Sequence, residues 1–171
     1  MTPVLQKRFS FADVGTGRPL CDVKAAMFLL DRDEDGVLHL IEDGQLEFAF
    51  NVAMPGADAR ELRIWSGSIR KYVAAGIVNR LPADQVDDSV RAKSSKISTV
   101  DQVVADILPG MGVEITAVAL KRAFNCSSTH VHNLIGAGAL EEIAHADRKQ
   151  TNTRWVARES AIRFLKTRRV Q

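Results

Sequence analysis

The sequence predicts a mainly helical α+β fold that is built from two copies of one small module. Two observations support this prediction: a segment near residue 40 recurs 94 positions later, and each copy has short helical patterns followed by two strand patterns. The chain has 171 residues, of which 46% are hydrophobic. That composition is typical of a globular protein, and the length accommodates two small domains.

Two segments of similar sequence carry the repeat. "VLHLIEDGQLE" at residues 37–47 aligns with "VHNLIGAGALE" at residues 131–141, at an offset of 94. Downstream, "ELRIWSGSIRKYV" corresponds to "TRWVARESAIRFL" at an offset that is two or three residues smaller. We therefore expect an internal duplication in which the intervening hairpins differ in length, with Trp65 and Trp155 at matching strand positions in the core.

The second copy is expected to begin with two short helices. Thr116 and Ser127 belong to the residue types that favour helix N-caps, and Asn125-Cys126 between them predicts the turn. Gly138 is expected to follow the second helix in the left-handed conformation. Helical spacing places one set of apolar side chains on the buried face of that helix: Val131, Leu134 and Ile135.

Two strand patterns and a third helix follow in the second copy. "ALEEIAHA" and "TRWVA" are expected to pair across the polar hairpin "DRKQTN", and a helix is expected from Arg158 to about Thr167. The first copy has matching patterns at residues 22–30, 34–43, 46–52, 62–65 and 67–75. Two helices at a tight turn, a two-stranded wing and a closing helix define a winged helix-turn-helix module.

The predicted domain boundaries follow from the repeat. The first module spans residues 16–76, a polar linker spans residues 77–98, and the second module spans residues 99–171. The amphipathic segment "TVDQVVADILPG" opens the second module, and we expect it to pack on that module as a helix that ends before Pro109.

The ordered series of motifs resembles a known family. "FNCSSTHVHNLIGAGALE…TRWVARESAIRFL" in the second copy and "LIEDGQLEFAFNVA…RELRIWSGSIRKYV" in the first are similar to excisionase and MerR-type winged helix-turn-helix DNA-binding domains in tandem. The resemblance implies sequence-specific binding of double-stranded DNA. It also implies a non-enzymatic accessory or regulatory factor, acting in excision, recombination or transcription control of a mobile element or phage.

Charge divides the two copies. Residues 22–72 carry a formal charge of −4, whereas residues 116–171 carry +6. The first copy has Arg32–Asp35 where the second has Cys126–Thr129, so three carboxylates would face a DNA backbone there and be repelled. The second copy is therefore expected to make most of the DNA contact. An alternative function is an adaptor whose acidic first module binds a protein partner.

The candidate DNA contacts lie mainly in the second copy. The start of its second helix offers short hydroxyls for phosphate oxygens and side chains that reach base edges: Ser127, Ser128, Thr129, His130, His132 and Asn133. Basic side chains on or beside the wings are candidates for backbone or minor-groove contacts: Arg148, Lys149, Arg154 and Arg158, with Arg60 and Arg63 in the first copy. The basic segment "RFLKTRRV" is expected to contact phosphates without sequence preference.

Residues 31–42 also match the pattern of an EF-hand calcium loop, which makes a calcium-binding regulator a further alternative. The ligand positions are occupied by Asp31, Asp33, Asp35 and Glu42. However, a strand pattern follows where the exiting helix of an EF-hand would run, and the repeat partner of the segment carries no carboxylate. We therefore expect no metal at this segment.

Enzyme and membrane functions have little support in the sequence. It contains no Gly-rich phosphate loop, no zinc-ligand spacing and no nucleophile grouped with a base, so we expect no catalysis, no cofactor and no small-molecule substrate. Cys21 and Cys126 are expected to be reduced and partly buried. No apolar stretch approaches the roughly 18 residues of a membrane span, so we expect a cytoplasmic protein without a membrane partner. A second copy of the chain, a recombinase or a polymerase is a further candidate partner.

Overall fold

The computed structural model describes residues 18–78, 98–108, 110, 112–144 and 153–170. Within these ranges the chain forms seven helices and two small antiparallel sheets, which confirms the predicted α+β class and its mainly helical character. None of these helices is long and apolar enough to cross a membrane.

The first half contains a three-stranded sheet and three helices. Its elements are β1 (Leu20–Asp22), α1 (Val23–Leu30), α2 (Glu34–Glu42), β2 (Ala49–Asn51), β3 (Leu62–Trp65) and α3 (Ser66–Val78). β3 lies between β1 and β2 and is antiparallel to both. The three helices and the two later strands lie where the sequence patterns predict them, whereas β1 is an additional strand.

The second half repeats this order of elements. After α4 (Val100–Ile107) it contains β4 (Glu114–Thr116), α5 (Ala117–Ala123), α6 (Ser128–Gly136), β5 (Glu142–Ile143), β6 (Trp155–Ala157), α7 (Arg158–Thr167) and β7 (Arg169–Val170). β6 lies between β4 and β5, as β3 lies between β1 and β2. The predicted hairpin "DRKQTN" lies outside the described residues.

The helical turns of the two halves share their local geometry. Asp31 and Asn125, 94 positions apart, have positive φ values of 51° and 49°, and both Gly44 and Gly138 have φ of 70°. The N-caps correspond in the same way, because each cap side chain accepts a hydrogen bond from the amide three residues later: Asp22 and Asp33 in the first half, Thr116 and Ser127 in the second. Each cap satisfies one of the amides that has no intrahelical acceptor.

The strand register shows which residues of the two sheets correspond. Asp22 pairs with Arg63 in the first sheet, and Thr116 pairs with Trp155 in the second. Trp155 therefore corresponds to Arg63, and the expectation that Trp65 and Trp155 hold matching positions is wrong. The offset falls from 94 between Asp22 and Thr116 to 92 between their partners Arg63 and Trp155.

The two halves are joined by a shared sheet edge and a shared core. β7 pairs with β2, so the last strand of the second half becomes the fourth strand of the first sheet. One continuous cluster of buried apolar side chains contains residues of both halves: Phe48, Phe50, Val52 and Trp65 with Val103, Ile107, Phe124 and Phe164. The indole Nε1 of Trp65 also donates to Oδ2 of Asp106 at 2.6 Å. α4, which carries Asp106, packs on α7 as expected. Each half therefore covers apolar surface of the other.

Candidate nucleic-acid interface

Helix α6 has one buried face and one exposed polar face. Asn125 in the left-handed conformation turns the chain between α5 and α6, and Ser127 caps α6 by accepting from the amide of His130 at 3.0 Å. Val131, Leu134 and Ile135 are buried, as predicted. The opposite face is exposed and consists of Ser128, Thr129, His132 and Asn133. Helical spacing places these four side chains on one continuous surface, at the end of the helix where the backbone dipole is positive.

Two basic residues outside the predicted set of DNA contacts lie beside this helix. Lys121 and Arg122 occupy the last turn of α5, are exposed, and lie next to Ser127 in the lining of the same cavity. Their position in the sequence indicates this placement, because they come directly before the turn "AFNCSS", which brings the end of α5 close to the start of α6. They add positive charge beside the α6 surface.

His130 is not part of the exposed face. Its Nε2 lies 2.7 Å from the carbonyl oxygen of Val52, and its Nδ1 lies 3.5 Å from Oε2 of Glu61. Because a carbonyl oxygen only accepts, Nε2 carries the proton in this hydrogen bond. The side chain is 14% exposed, so His130 attaches α6 to the first half instead of reaching a base edge.

Arg63 is not a surface base either. It is 9% exposed, its Nε donates to the carbonyl oxygen of Asn125 at 3.1 Å, and its Nη2 lies 2.5 Å from Oε1 of Glu61. The predicted wing contact of Arg63 with DNA is therefore replaced by a contact within the chain. Arg60, three residues earlier, is exposed.

Arg154 forms a two-pronged ion pair with Glu142 at the second sheet. Its Nε and Nη2 lie 2.7 Å and 2.6 Å from the two carboxylate oxygens of Glu142, on the adjacent strand. The hydrogen bonds lower the pKa of Glu142 and raise the pKa of Arg154. Glu142 thus neutralises part of the charge that the wing was expected to offer to phosphate. The other two predicted wing bases, Arg148 and Lys149, lie outside the described residues.

The remaining predicted basic contacts are mostly engaged within the protein. Arg158 donates to the carbonyl oxygen of Leu108 and so connects α7 to the end of α4. Arg169 lies in β7, with its guanidinium 4.7 Å from the ring centroid of Phe48. Lys166 pairs with Asp101 at 2.7 Å. The segment "RFLKTRRV" is therefore a helix end and an edge strand, and not a free basic tail.

The acidic segment of the first half forms a turn and a helix. Asp33 caps α2 by accepting from the amide of Gly36 at 2.9 Å, and residues 34–42 are helical. This helix separates Asp35 from Glu42 by about 10 Å along its axis, whereas an EF-hand loop requires the oxygens of Asp31, Asp33, Asp35 and Glu42 to surround one ion. Among the described residues, no three His, Cys, Asp or Glu side chains are grouped so that they could hold a metal ion. The geometry does not support the calcium alternative.

Comparison with known proteins gives no relative of this chain. No protein-family model, no curated protein and no solved structure matches it. The resemblance to excisionase and MerR-type domains thus remains a prediction, and the geometry of α6 and its surroundings is the basis for the function proposed below.

Proposed function

We propose that the chain is a non-enzymatic factor that binds double-stranded DNA through the exposed face of α6, with α6 as the recognition helix of the second of two duplicated winged helix-turn-helix modules. The observation that carries the proposal is the surface formed by Ser128, Thr129, His132 and Asn133 beside Lys121 and Arg122. Hydroxyl and backbone N–H groups at a helix N-terminus suit phosphate oxygens, and amide side chains such as that of Asn133 suit base edges in the major groove.

The duplication is supported by several independent matches. The two positive-φ turn residues, the two positive-φ glycines and the four helix caps recur 94 positions apart. The strand orders β1–β3–β2 and β4–β6–β5 are also equivalent. An ancestral module that was copied once accounts for all of these matches together.

The division of labour between the modules is supported by their charges. At the positions of Ser128 and Thr129 the first half has Glu34 and Asp35, which are exposed in the first turn of α2. Carboxylates there would be repelled by phosphates. The second module therefore faces the DNA, and the acidic α2 surface is left for a different contact.

A protein partner is the second candidate role for the first half. Phe28, one helical turn before Asp31, is 58% exposed on α1. An exposed aromatic ring next to carboxylates suits a protein surface with basic and apolar groups, because aromatic residues are enriched in protein interfaces. In this role the chain would be an adaptor that holds DNA with one half and a protein with the other.

Duplex binding can be tested with the full chain and a matched pair of charge changes. We expect duplexes selected from a random pool to bind with an affinity that falls on the order of a hundredfold between low and physiological salt. Thr129→Glu should weaken binding by about tenfold or more, because the new carboxylate faces phosphate. Gln45→Glu adds the same charge at an exposed position of the first half and should have a much smaller effect. Fluorescence anisotropy of a labelled duplex measures the affinity of each variant. Absence of duplex binding at low salt contradicts the proposal.

A further inference from the structure

A cavity of about 370 Å³ lies where the two halves meet, in front of the turn between α5 and α6. Both halves contribute to its lining. Arg18 and Arg63 come from the first half, and Lys121, Arg122 and the α6 cap Ser127 come from the second. The cavity is therefore formed only when the halves are docked.

The lining is strongly basic. Among the described residues that form it, four carry a permanent positive charge, and Glu61 is the carboxylate. Glu61 already pairs with Arg63 at 2.5 Å and faces His130. Arg18 donates from Nη1 to Oδ1 of Asn125 at 2.9 Å, which holds its guanidinium at the cavity. Lys121 and Arg122 complete an excess of positive charge, and a cleft lined by one sign of charge raises the local concentration of oppositely charged ions.

The mixture of cations suits a phosphate group. A guanidinium presents several N–H donors in a fixed plane that matches the spacing of phosphate oxygens, and a lysine adds a mobile point charge. A volume of about 370 Å³ is near the lower end of the range for small-molecule sites. It accommodates a phosphate group with a small attached residue. We propose that this inter-half cavity is a phosphate-binding site.

A bound phosphate would act on the DNA-binding surface through the turn before α6. It would join Arg18 of the first half to Lys121 and Arg122 of the second, at a point directly next to the α6 cap. It therefore stabilises the docked arrangement, because a ligand that binds only the folded, docked state adds its binding free energy to stability. Two sources supply such a group: a backbone phosphate of bound DNA, or a small phosphorylated molecule that binds independently.

The first measurement uses inorganic pyrophosphate and the full chain without DNA, so its result does not depend on the proposed DNA binding. We expect saturable binding by calorimetry, with shifts of the backbone amide resonances of residues 125–127. Lys121→Gln and Arg122→Gln should each weaken binding by about tenfold or more. Both side chains are exposed, so the variants retain the fold. Arg70→Gln and Lys24→Gln remove the same charge at exposed positions outside the lining and should leave the affinity within about twofold.

A second measurement distinguishes the two sources. If a DNA phosphate occupies the cavity, pyrophosphate competes with duplex, and Lys121→Gln lowers the slope of log affinity against log salt by about one. If the ligand is a separate small molecule, pyrophosphate binds the protein–DNA complex as well as the free protein. Either result supports the site. The proposal is overturned if pyrophosphate shows no saturable binding at millimolar concentration, or if the four charge-removing variants weaken it equally.

Discussion

The guanidinium of Arg63, on β3, donates from Nε to the carbonyl oxygen of Asn125 at 3.1 Å, and so holds the turn that starts the proposed recognition helix. The same side chain pairs with Glu61, whose other carboxylate oxygen faces His130 of that helix. A residue that was expected to bind DNA instead positions α6 on the first half. This contact makes the orientation of α6 dependent on both halves.

Removal of Arg63 should destabilise the whole chain. Arg63→Ala leaves the carbonyl of Asn125 and the carboxylate of Glu61 without their partner in a partly buried place, at a cost of about 2–4 kcal/mol in the free energy of unfolding. Arg60→Ala, at an exposed position between β2 and β3, should change the free energy of unfolding by less than about 0.5 kcal/mol. Urea denaturation measures both. Equal stability of the two variants would show that the Arg63 contacts contribute little.

Asn133 and His39 occupy corresponding exposed positions on α6 and α2, which provides an internal control for base reading. If α6 is the recognition helix, Asn133→Ala should reduce discrimination at particular base pairs by about 1–3 kcal/mol, because the amide proposed to read a base edge is lost. His39→Ala should leave both affinity and preference unchanged. Binding to the selected duplex and to its single-base variants provides the measurement. The reverse pattern would assign recognition to the first half.

The Glu142–Arg154 pair predicts a specific pH dependence. The pKa of Glu142 lies below its ordinary value because Arg154 donates to the carboxylate, so the folded state binds this proton less readily than the unfolded state. The pair therefore stabilises the fold at pH values above the ordinary range of a glutamate, and this contribution is lost as the pH falls through the lowered pKa.

Carbon-detected NMR titration of the Glu142 carboxyl in the full chain tests this dependence. Arg154→Ala should raise its midpoint towards the ordinary value, whereas Arg163→Ala, which removes a weaker pair with Glu141 at 3.9 Å, should not. An unchanged midpoint in Arg154→Ala would mean that the pair is not formed in solution. The side chains of Glu142 and Arg154 are 40% and 36% exposed, so the contribution of this ion pair to stability should be small.

The cysteines should react slowly with thiol reagents. Burial raises the pKa of Cys126 to about 11 and that of Cys21 to about 12. Since the thiolate is the reactive form, the labelling rate of the folded protein should rise about tenfold per pH unit from pH 7 to 9, with Cys126 labelled before Cys21. Mass spectrometry after timed labelling gives the order. Rapid labelling of Cys21 at pH 7 would contradict its burial.

The elements that could be predicted from the sequence are those whose signals are local. Thr116 and Ser127 are residue types that favour N-caps, and each caps the helix that follows it. Leu134 and Ile135 lie three and four residues after Val131, on the same face of the helix. The repeat offset located the equivalent turns. Such signals depend on neighbours within one helical turn, so a single sequence contains them.

The short edge strands and the contacts between the halves left no comparable signal. β1, β4 and β7 have two or three residues each, too few for a recognisable alternation, and their partners are remote in sequence. The sequence predicts a surface position for Arg63 because arginine is rarely buried, and the contact that joins it to the other half, with the carbonyl oxygen of Asn125, spans 62 residues. Lys121 and Arg122 have a local signal in their position before the turn, but the cavity that they line together with Arg18 and Arg63 forms only after the halves have docked.

The pairing of β7 with β2 also has a consequence for synthesis on the ribosome. β1, β2 and β3 can pair as soon as β3 has emerged from the ribosome. The outer edge of β2 keeps unpaired backbone groups until Arg169 and Val170 have been made. An open strand edge invites pairing with other chains. The nascent protein therefore passes through a period in which its first half is exposed to aggregation, and the length of that period is set by the translation time of the second half.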